Sequence, residues 1–223
     1  MQKLAAAAAI AASVLFAKAA RLETMHEGRR AHVYDDHDGC PLKDGIRSRD
    51  GRKCIGHPTV GIGLNLDRGG ADGALEAVGA DYAAVRAGHV DLTAQQIDTL
   101  FRVDLEHAIN SIKRTISEFD DLPEAVQLVL VDMTFNMGSV VGFPKMLAAV
   151  GRRDWAGMIA EMVDSSWYRQ VPARAKHDIE LIRAVLDVPD HPQPLTQEER
   201  ETVLSLVAIT TDTTIADVLA TRT

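Results

Sequence analysis

Two carboxylic residues near the N-terminus, Glu27 and Asp36, have the types and spacing that acid–base chemistry on a sugar bond requires. Glu27 stands directly before Gly28, where a helix should end, and Asp36 follows nine residues later. Glycoside hydrolysis needs one protonated carboxyl group to protonate the leaving oxygen and one ionised carboxylate to handle water or the cationic sugar. A helix C-terminus favours the protonated form of Glu27. Because the chain contains 32 acidic residues, this pair alone is only a weak indication.

A second group of reactive residues consists of His37, Cys40, Cys54 and His57. The favoured interpretation is a Cys40–Cys54 disulfide, which would close a loop and stabilise the fold by up to about 3 kcal/mol. Two free thiols are the first alternative. A zinc site is the second, since two cysteines and two histidines are a recognised ligand set.

Composition and charge exclude several classes of protein. The chain has 223 residues, of which 46% are apolar and 25% charged, as is usual for soluble globular domains and not for disordered or collagen-like chains. The net charge of −8 argues against sequence-independent nucleic-acid binding, which needs basic charge to displace counterions from phosphate. The sequence therefore predicts one domain, or two closely packed lobes, without a nucleic-acid partner.

An apolar run at residues 4–17 lies between Lys3 and Lys18. It is shorter than the roughly 20 residues that span a membrane, and Ala17-Lys18-Ala19 has the small residues of a cleavage site. The favoured interpretation is that residues 1–19 form a cleaved export signal. The alternatives are a weak, uncleaved anchor that associates transiently with a membrane through residues 4–17, and a helix retained in the folded protein.

Glycines, capping residues and apolar periodicity predict the elements that must position the reactive residues. Gly28 should end the first helix, and residues 31–66 should form short strands and hairpins. A T-x-x-Q capping box at Thr93 begins a helix whose apolar stripe comprises Ile97, Leu100, Phe101, Leu105, Ile109 and Ile112. From Pro123 onward the pattern is almost entirely helical.

These elements predict an α+β fold that is mostly α. A small antiparallel sheet lobe, a long connecting helix and a larger helical lobe should leave a cleft between the lobes. The catalytic domain is expected at residues 20–188, with an insertion at 40–58. A C-terminal extension with helical character is expected at 189–223.

A series of short motifs in a fixed order carries a family resemblance. The motifs are His26-Glu27-Gly28, Tyr34-x-Asp36-x-x-Gly39, Pro58-Thr59-Val60-Gly61-Ile62-Gly63, Leu100-Phe101-x-x-Asp104-Leu105, Phe135-Asn136-Met137-Gly138 with Gly142-Phe143, and Trp167-Tyr168-x-Gln170-x-Pro172-x-Arg174-Ala175-Lys176. Together they resemble the phage-type lysozymes, glycoside hydrolase family 24. The resemblance covers about residues 17–186 and implies a lysozyme-like fold with two lobes.

The resemblance implies a role for each matching residue. Glu27 would be the general acid, Asp36 the second carboxylate, and Thr59 a partner in holding the water. Arg174 would be a buried cation paired with Glu27, and Asn136 would line the cleft floor and bind the sugar chain. The other implied site residues are the substrate contacts Gly61, Gly63 and Phe143 and the supporting residue Tyr34.

Two departures from the family pattern are visible. Leu64 stands where the best-known members carry His after the Gly-x-Gly, so we expect a local change of packing there. The insertion at 40–58 lengthens the connection between Asp36 and Thr59, and a longer hairpin beside the cleft could widen, cover or regulate the site.

The resemblance implies an endolysin-like muramidase that lyses bacterial cells. It would hydrolyse the β-1,4 bond between N-acetylmuramic acid and N-acetylglucosamine in peptidoglycan, with inversion, as a monomer and without a metal or organic cofactor. It would be exported to the periplasm or cell wall, or stay cytoplasmic until lysis if the N-terminal segment is only a helix. One rival is a lytic transglycosylase using Glu27 alone; another is a catalytically weak wall-binding or virion-structural module, since fold does not guarantee activity.

Overall fold

A computed structural model of the chain describes residues 2–186, with side chains described from Ala11 onward. The strands are β1 (Arg30–Asp35), β2 (Cys40–Lys43), β3 (Ile46–Arg47), β4 (Pro58–Gly61) and β5 (Leu64–Asn65). The helices are α1 (Gln2–Glu27), α2 (Ala71–Ala77), α3 (Tyr82–Arg86), α4 (Ala94–Thr115), α5 (Glu124–Met137), α6 (Pro144–Gly151), α7 (Trp155–Asp164), α8 (Ser166–Gln170) and α9 (Pro172–Leu186), with a 3-10 turn at Phe119–Asp121. These elements, as far as Val185, belong to one compact unit. The predicted extension at 189–223 lies outside the described residues.

The strands form one antiparallel sheet in the order β3-β2-β1-β4-β5. Strand β1 is central, and its residue Tyr34 pairs with Pro41 of β2 on one side and with Thr59 of β4 on the other. The insertion at 40–58 thus supplies β2 and β3, which extend the sheet beyond β1. The predicted α+β class with a small antiparallel sheet is confirmed.

The helix boundaries follow the predicted local signals. Thr93 caps α4 with the expected reciprocal box, in which Gln96 N–H donates to the Thr93 hydroxyl and the Gln96 side chain accepts from Thr93 N–H. Helix α4 buries the predicted stripe except Ile109, which is only partly covered. Most residues of helix α5 are buried, and α1 and α4 both pack against it.

Helix α1 continues without a break through the limit predicted between residues 19 and 20. Leu15 and Ala19 are 5% and 1% exposed and belong to the same core as Leu22. Within residues 2–186, no helix combines the length and apolar character needed to cross a membrane. The second half of the apolar run therefore has a packing role in the folded domain.

Leu15→Ala tests whether this part of α1 belongs to the working protein. We expect the substitution to lower the free energy of unfolding by about 2–5 kcal/mol, because it leaves a cavity in the core. Val14→Ala is the matched control, since Val14 is 41% exposed and the substitution should change stability by less than about 0.5 kcal/mol. Urea unfolding of protein recovered after expression measures both. Equal stabilities for the two variants would contradict a packed N-terminal helix.

A buried ion pair holds the insertion against β1. The carboxylate of Asp35, fully buried, accepts hydrogen bonds from the Arg47 guanidinium (2.8 Å) and from the N–H groups of His37, Ile55 and Gly56. Burial opposes ionisation of Asp35, but these hydrogen bonds outweigh it and lower the pKa to about 2. Asp35 therefore contributes to stability above about pH 4, and this contribution is lost as the pH falls through about 2.

Both cysteines are free thiols, so the favoured Cys40–Cys54 disulfide is absent from this structure. The sulfur of Cys40 lies 3.7 Å from the Ser48 hydroxyl, whereas the thiol of Cys54 points to the carbonyl of Gly56. Burial and the neighbouring Asp35 carboxylate raise the pKa of the Cys54 thiol to about 11, which keeps it protonated and poorly nucleophilic. The buried ion pair provides the cross-link that the sequence had assigned to a disulfide.

The zinc alternative is not supported by the positions of its four residues either. The His57 ring is paired with Asp67, at 3.0 Å. In the described part of the chain, His37, Cys40, Cys54 and His57 do not gather as a set of metal ligands.

Arg47→Met should loosen the insertion and cost about 3 kcal/mol of stability, because it leaves the Asp35 charge buried without its guanidinium. Arg49→Met is the control: Arg49 is 63% exposed and, among the described residues, pairs with Asp38 alone, so its loss should cost less than about 1 kcal/mol. Urea unfolding gives the cost, and limited proteolysis of residues 40–58 locates it. Equal protease resistance in both variants would show that the Asp35–Arg47 ion pair does not hold residues 40–58 in place.

Candidate active site

A polar cavity of about 360 Å³ lies where the end of α1 meets the sheet and helix α5. It brings together six of the predicted site residues, namely Glu27, Tyr34, Asp36, Thr59, Gly63 and Asn136. The remaining lining residues are His26, Arg30, Asp38, Gly39, Asn65 and Phe135. Carboxyl, hydroxyl and amide groups thus converge on one space that is open to a ligand.

Glu27 reaches this cavity because α1 ends at Gly28. Gly28 has φ 71° and its N–H bonds the Thr24 carbonyl, as a helix-terminating glycine does. The Glu27 carboxylate is 21% exposed and lies 2.8 Å from the Arg174 guanidinium. A Cβ atom at Gly63 would come within 2.9 Å of the Glu27 carboxyl carbon. Gly63 therefore leaves the space that the catalytic candidate occupies.

Asp36 and Thr59 are fixed by the same residue, His57, at the end of the insertion. The Asp36 carboxylate accepts a hydrogen bond from the His57 N–H at 2.7 Å, and the Thr59 hydroxyl donates to the His57 carbonyl at 3.2 Å. Thr59 is 3% exposed, whereas Asp36 is exposed. Because both side chains are tied to one residue, the insertion controls their relative position.

Tyr34 and Arg30 form the wall contributed by β1. The Arg30 guanidinium lies 4.4 Å from the centroid of the Tyr34 ring and donates to the Gly39 carbonyl at 2.6 Å. Burial, with the nearby Glu27 carboxyl, raises the pKa of Tyr34 to about 12, so this phenol stays neutral. Sequence reasoning did not identify Arg30 as a site residue.

Two residues predicted to contact substrate do not line this cavity. Gly61 faces helix α4, since a Cβ atom there would lie 3.7 Å from the side chain of Ile97. Phe143 precedes α6 and lines a separate depression with Lys145, Glu161 and Asp164. Asn136 does line the cavity, and its side-chain oxygen accepts a hydrogen bond from the buried indole of Trp167 at 3.0 Å.

Behind Glu27 lies a group that sequence reasoning missed, comprising Glu23, Asp132 and Asp178 and called here the acid cluster. All three side chains are fully buried. Arg174, 7% exposed, is their cation: its Nη2 atom lies 3.0 Å from Glu23 Oε2, and its Nε atom lies 3.2 Å from Asp132 Oδ2. Burial and the Asp132 carboxylate raise the pKa values of Glu23 and Asp178 to about 10.

Helical spacing relates each acid of the cluster to a predicted site residue, although it does not by itself bring the three helices together. Glu23 and Glu27 are four residues apart on α1, Asp132 and Asn136 on α5, and Arg174 and Asp178 on α9. Residues four apart share one face of a helix, so each acid of the cluster lies on the same side of its helix as Glu27, Asn136 or Arg174.

Two histidines complete the surroundings of Glu27. His177 Nδ1 lies 3.3 Å from His26 Nε2, in hydrogen-bond contact, and His26 Nε2 lies 3.8 Å from Asp132 Oδ1. Burial lowers the pKa of His26 despite the neighbouring Asp132 carboxylate. His26 is therefore neutral at neutral pH and does not supply a second cation.

Comparisons with known proteins show the family of this chain. The family model described as phage lysozyme matches residues 24–177. Over 157 residues the chain is 27% identical to a Dictyostelium discoideum protein described as probable T4-type lysozyme 1. That match covers 63% of this chain and 92% of the relative. Glu27, Asp36, Thr59, Asn136 and Arg174 lie within the span that the family model covers.

Proposed function

Because the chain belongs to the phage lysozyme family and is a glycoside hydrolase, we propose that it is a muramidase acting on bacterial peptidoglycan. Its bond would be the β-1,4 link between N-acetylmuramic acid and N-acetylglucosamine. The observation that carries this proposal is the convergence of Glu27, Asp36 and Thr59 on one cavity.

Glu27 would supply the proton to the leaving glycosidic oxygen. It lies at the inner wall of the cavity against Arg174, which holds the carboxyl group in place. As the bond to the leaving sugar breaks, the proton passes from Glu27 to that sugar's oxygen and leaves Glu27 ionised. Arg174 then faces a carboxylate that has gained negative charge.

Asp36 and Thr59 would hold the attacking water. The Asp36 carboxylate accepts one proton of the water while the water oxygen attacks the anomeric carbon. The oxygen of the Thr59 hydroxyl accepts a hydrogen bond from the same water. Attack from the face opposite the leaving group inverts the anomeric configuration. The shared attachment to His57 keeps the two side chains in register. No metal or organic cofactor takes part.

The packing of α1 supports retention of residues 11–19 over removal as an export signal. Leu15 and Ala19 are buried, and Lys18 lies against Glu124 of α5. Because peptidoglycan lies outside the cytoplasmic membrane, we also propose export to the periplasm or wall, or release from a transient membrane-bound state. We further propose that the protein acts as a monomer and takes part in phage-induced lysis. N-terminal sequencing of protein recovered from the bacterial host distinguishes retention from cleavage.

Mass spectrometry of digested, purified peptidoglycan tests the activity. Hydrolysis produces reducing muramic acid ends, and proton NMR during turnover should show the α-anomer first if the reaction inverts. Anhydromuramic ends would replace our proposal with a lytic transglycosylase, and the absence of fragments would replace it with a wall-binding module. Glu27→Gln run in parallel shows that the fragments come from this site.

A further inference from the structure

We propose that Asp132, lying between Glu23 and Asp178, is a positioning residue that takes up the charge of Arg174 and so leaves the proton on Glu27. This inference rests on the proposed function of Glu27 as general acid. It assigns the acid cluster a role in catalysis that the cleft residues do not fulfil themselves.

The first argument is a shortage of positive charge. Arg174 contacts three carboxyl groups, those of Glu23 at 3.0 Å, Glu27 at 2.8 Å and Asp132 at 3.2 Å. Glu23 and Asp132 are fully buried, and Arg174 is nearly so. One guanidinium in a dry environment stabilises one carboxylate well, and further ionised partners repel the first. The carboxyl groups therefore compete for a single cation.

The position of Asp178 favours Asp132 as the ionised carboxyl that pairs with Arg174. Both of its oxygens are fully buried without a hydrogen-bond donor among the described groups, and its close neighbour is the Asp132 carboxyl. Two adjacent buried carboxyls share a proton, because both cannot ionise in low dielectric. Glu23 stands in the same relation to Asp132. An ionised Asp132 satisfies all these contacts, since it accepts hydrogen bonds from a protonated acid on either side and pairs with Arg174.

The raised pKa values of Glu23 and Asp178, both about 10, agree with that distribution of protons. The charge of Arg174 is then balanced by Asp132, and a second anion on Glu27 would be left without a cation of its own. The competition with Asp132 thus weakens the pull of Arg174 on the proton of the proposed general acid.

Other groups around Glu27 do not replace Arg174 as its cation. The neighbouring titratable or charged side chains, taken by element, are Glu23 and His26 on α1, Arg30 and Tyr34 on β1, Asp36 in the β1–β2 turn, Asp132 on α5, and Arg174, His177 and Asp178 on α9. His26 is neutral for the reason given above. Arg30 is engaged with Tyr34 and the Gly39 carbonyl.

The acid cluster is also costly, which argues that it is kept for activity. Buried carboxyls stabilise a fold less than apolar side chains of similar volume. Because their folded-state pKa values are raised, Glu23 and Asp178 bind protons more tightly in the folded chain. Their contribution to the free energy of unfolding therefore falls as the pH rises from about 4.5 towards about 10.

Three isosteric amide variants test the inference: Asp132→Asn, Glu23→Gln and Asp178→Asn. In Asp132→Asn the charge of Arg174 becomes available to an ionised Glu27, so the alkaline limb of the kcat/KM profile should move to lower pH by about one unit or more. Glu23→Gln and Asp178→Asn mimic the protonated acids and should leave that limb in place. Purified peptidoglycan at constant ionic strength is the substrate. Dividing the kcat/KM of each variant by that of the parent enzyme at the same pH cancels the effect of ionisable groups on the peptidoglycan.

A purely structural role would lower kcat in all three variants without moving the limb, and that pattern would overturn the inference. So would an equal displacement in all three. If Asp132→Asn does not fold, carbon-13 NMR of the side-chain carboxyls in the parent protein gives the answer. Within the acid cluster, two carboxyls should remain protonated at pH 7; the signal of one should be absent in Glu23→Gln and that of the other in Asp178→Asn. A spectrum with every carboxyl ionised at pH 7 would equally refute it.

The outcome is separable from that of the proposed function. An active Glu27→Gln variant removes Glu27 from the mechanism whatever the acid cluster does. An inactive Glu27→Gln variant combined with an unmoved pH profile in Asp132→Asn retains the general acid and rejects only the role of Asp132.

Discussion

Glu27→Gln should lower kcat at least about 10²-fold and leave the folded structure unchanged. The amide has no proton to give at neutral pH, so the leaving sugar must depart without protonation. Gln is the same size as Glu and can still accept a hydrogen bond from Arg174. Because one of the carboxyls competing for that guanidinium disappears, the free energy of unfolding should be equal to or higher than that of the parent.

Turnover of purified peptidoglycan, followed by release of reducing ends, measures this loss, and urea unfolding checks the fold. Glu180→Gln is the matched control, because Glu180 lies on α9 with a side chain that is 64% exposed and that bonds Arg183. It should keep full activity. A Glu27→Gln enzyme with more than a tenth of the parent rate would exclude Glu27 as the general acid.

The parts of the fold that could be predicted from sequence are those governed by local signals. Gly28 ends α1 as predicted, with φ 71°. Gly138 likewise ends α5 with φ 80°, and Pro144 and Pro172 are the first residues of α6 and α9. Glycine tolerates the left-handed conformation, and proline is well suited to the first turn of a helix. Such signals act within a few residues, so one sequence is enough to interpret them.

What could not be predicted depends on contacts between distant segments. The clamp between Asp35 and Arg47 replaces the expected disulfide, and only the folded hairpin shows that the two thiols have different neighbours. Gly61 and Phe143 belong to family motifs, yet their surroundings direct them towards Ile97 and the start of α6. Motif membership identifies a segment of the site without saying which side chains face the cavity.

The acid cluster shows the same limit from the other direction. Glu23, Asp132 and Asp178 are spread over three helices that are far apart in the chain, and acidic residues are normally exposed. Nothing in the composition separates them from the other acids of the sequence. Their helical spacing from Glu27, Asn136 and Arg174 acquires meaning only once the three helices are seen to meet.

Asp36→Asn should lower kcat by about 10²–10⁴-fold, with a much smaller effect on KM. The amide cannot take the proton of the attacking water, whereas substrate binding depends on the other groups lining the cavity. The hydrogen bond from the His57 N–H at 2.7 Å can still be accepted by the Asn oxygen, so the hairpin should keep its position. Initial rates over a range of peptidoglycan concentrations separate kcat from KM.

Asp38→Asn is the informative comparison, because Asp38 lines the same cavity and belongs to the same turn. Its carboxylate is already engaged with the guanidinium groups of Arg47 and Arg49, so it has less capacity to hold water, and its loss should act mainly through the position of the hairpin. We therefore expect Asp38→Asn to reduce activity less than about 10-fold, with a loss that follows its stability. An inactive Asp38→Asn enzyme beside an active Asp36→Asn enzyme would reassign the water-activating carboxylate. If Asp36→Asn retained its rate and released anhydromuramic ends, Glu27 would be acting alone as the catalyst of a transglycosylase.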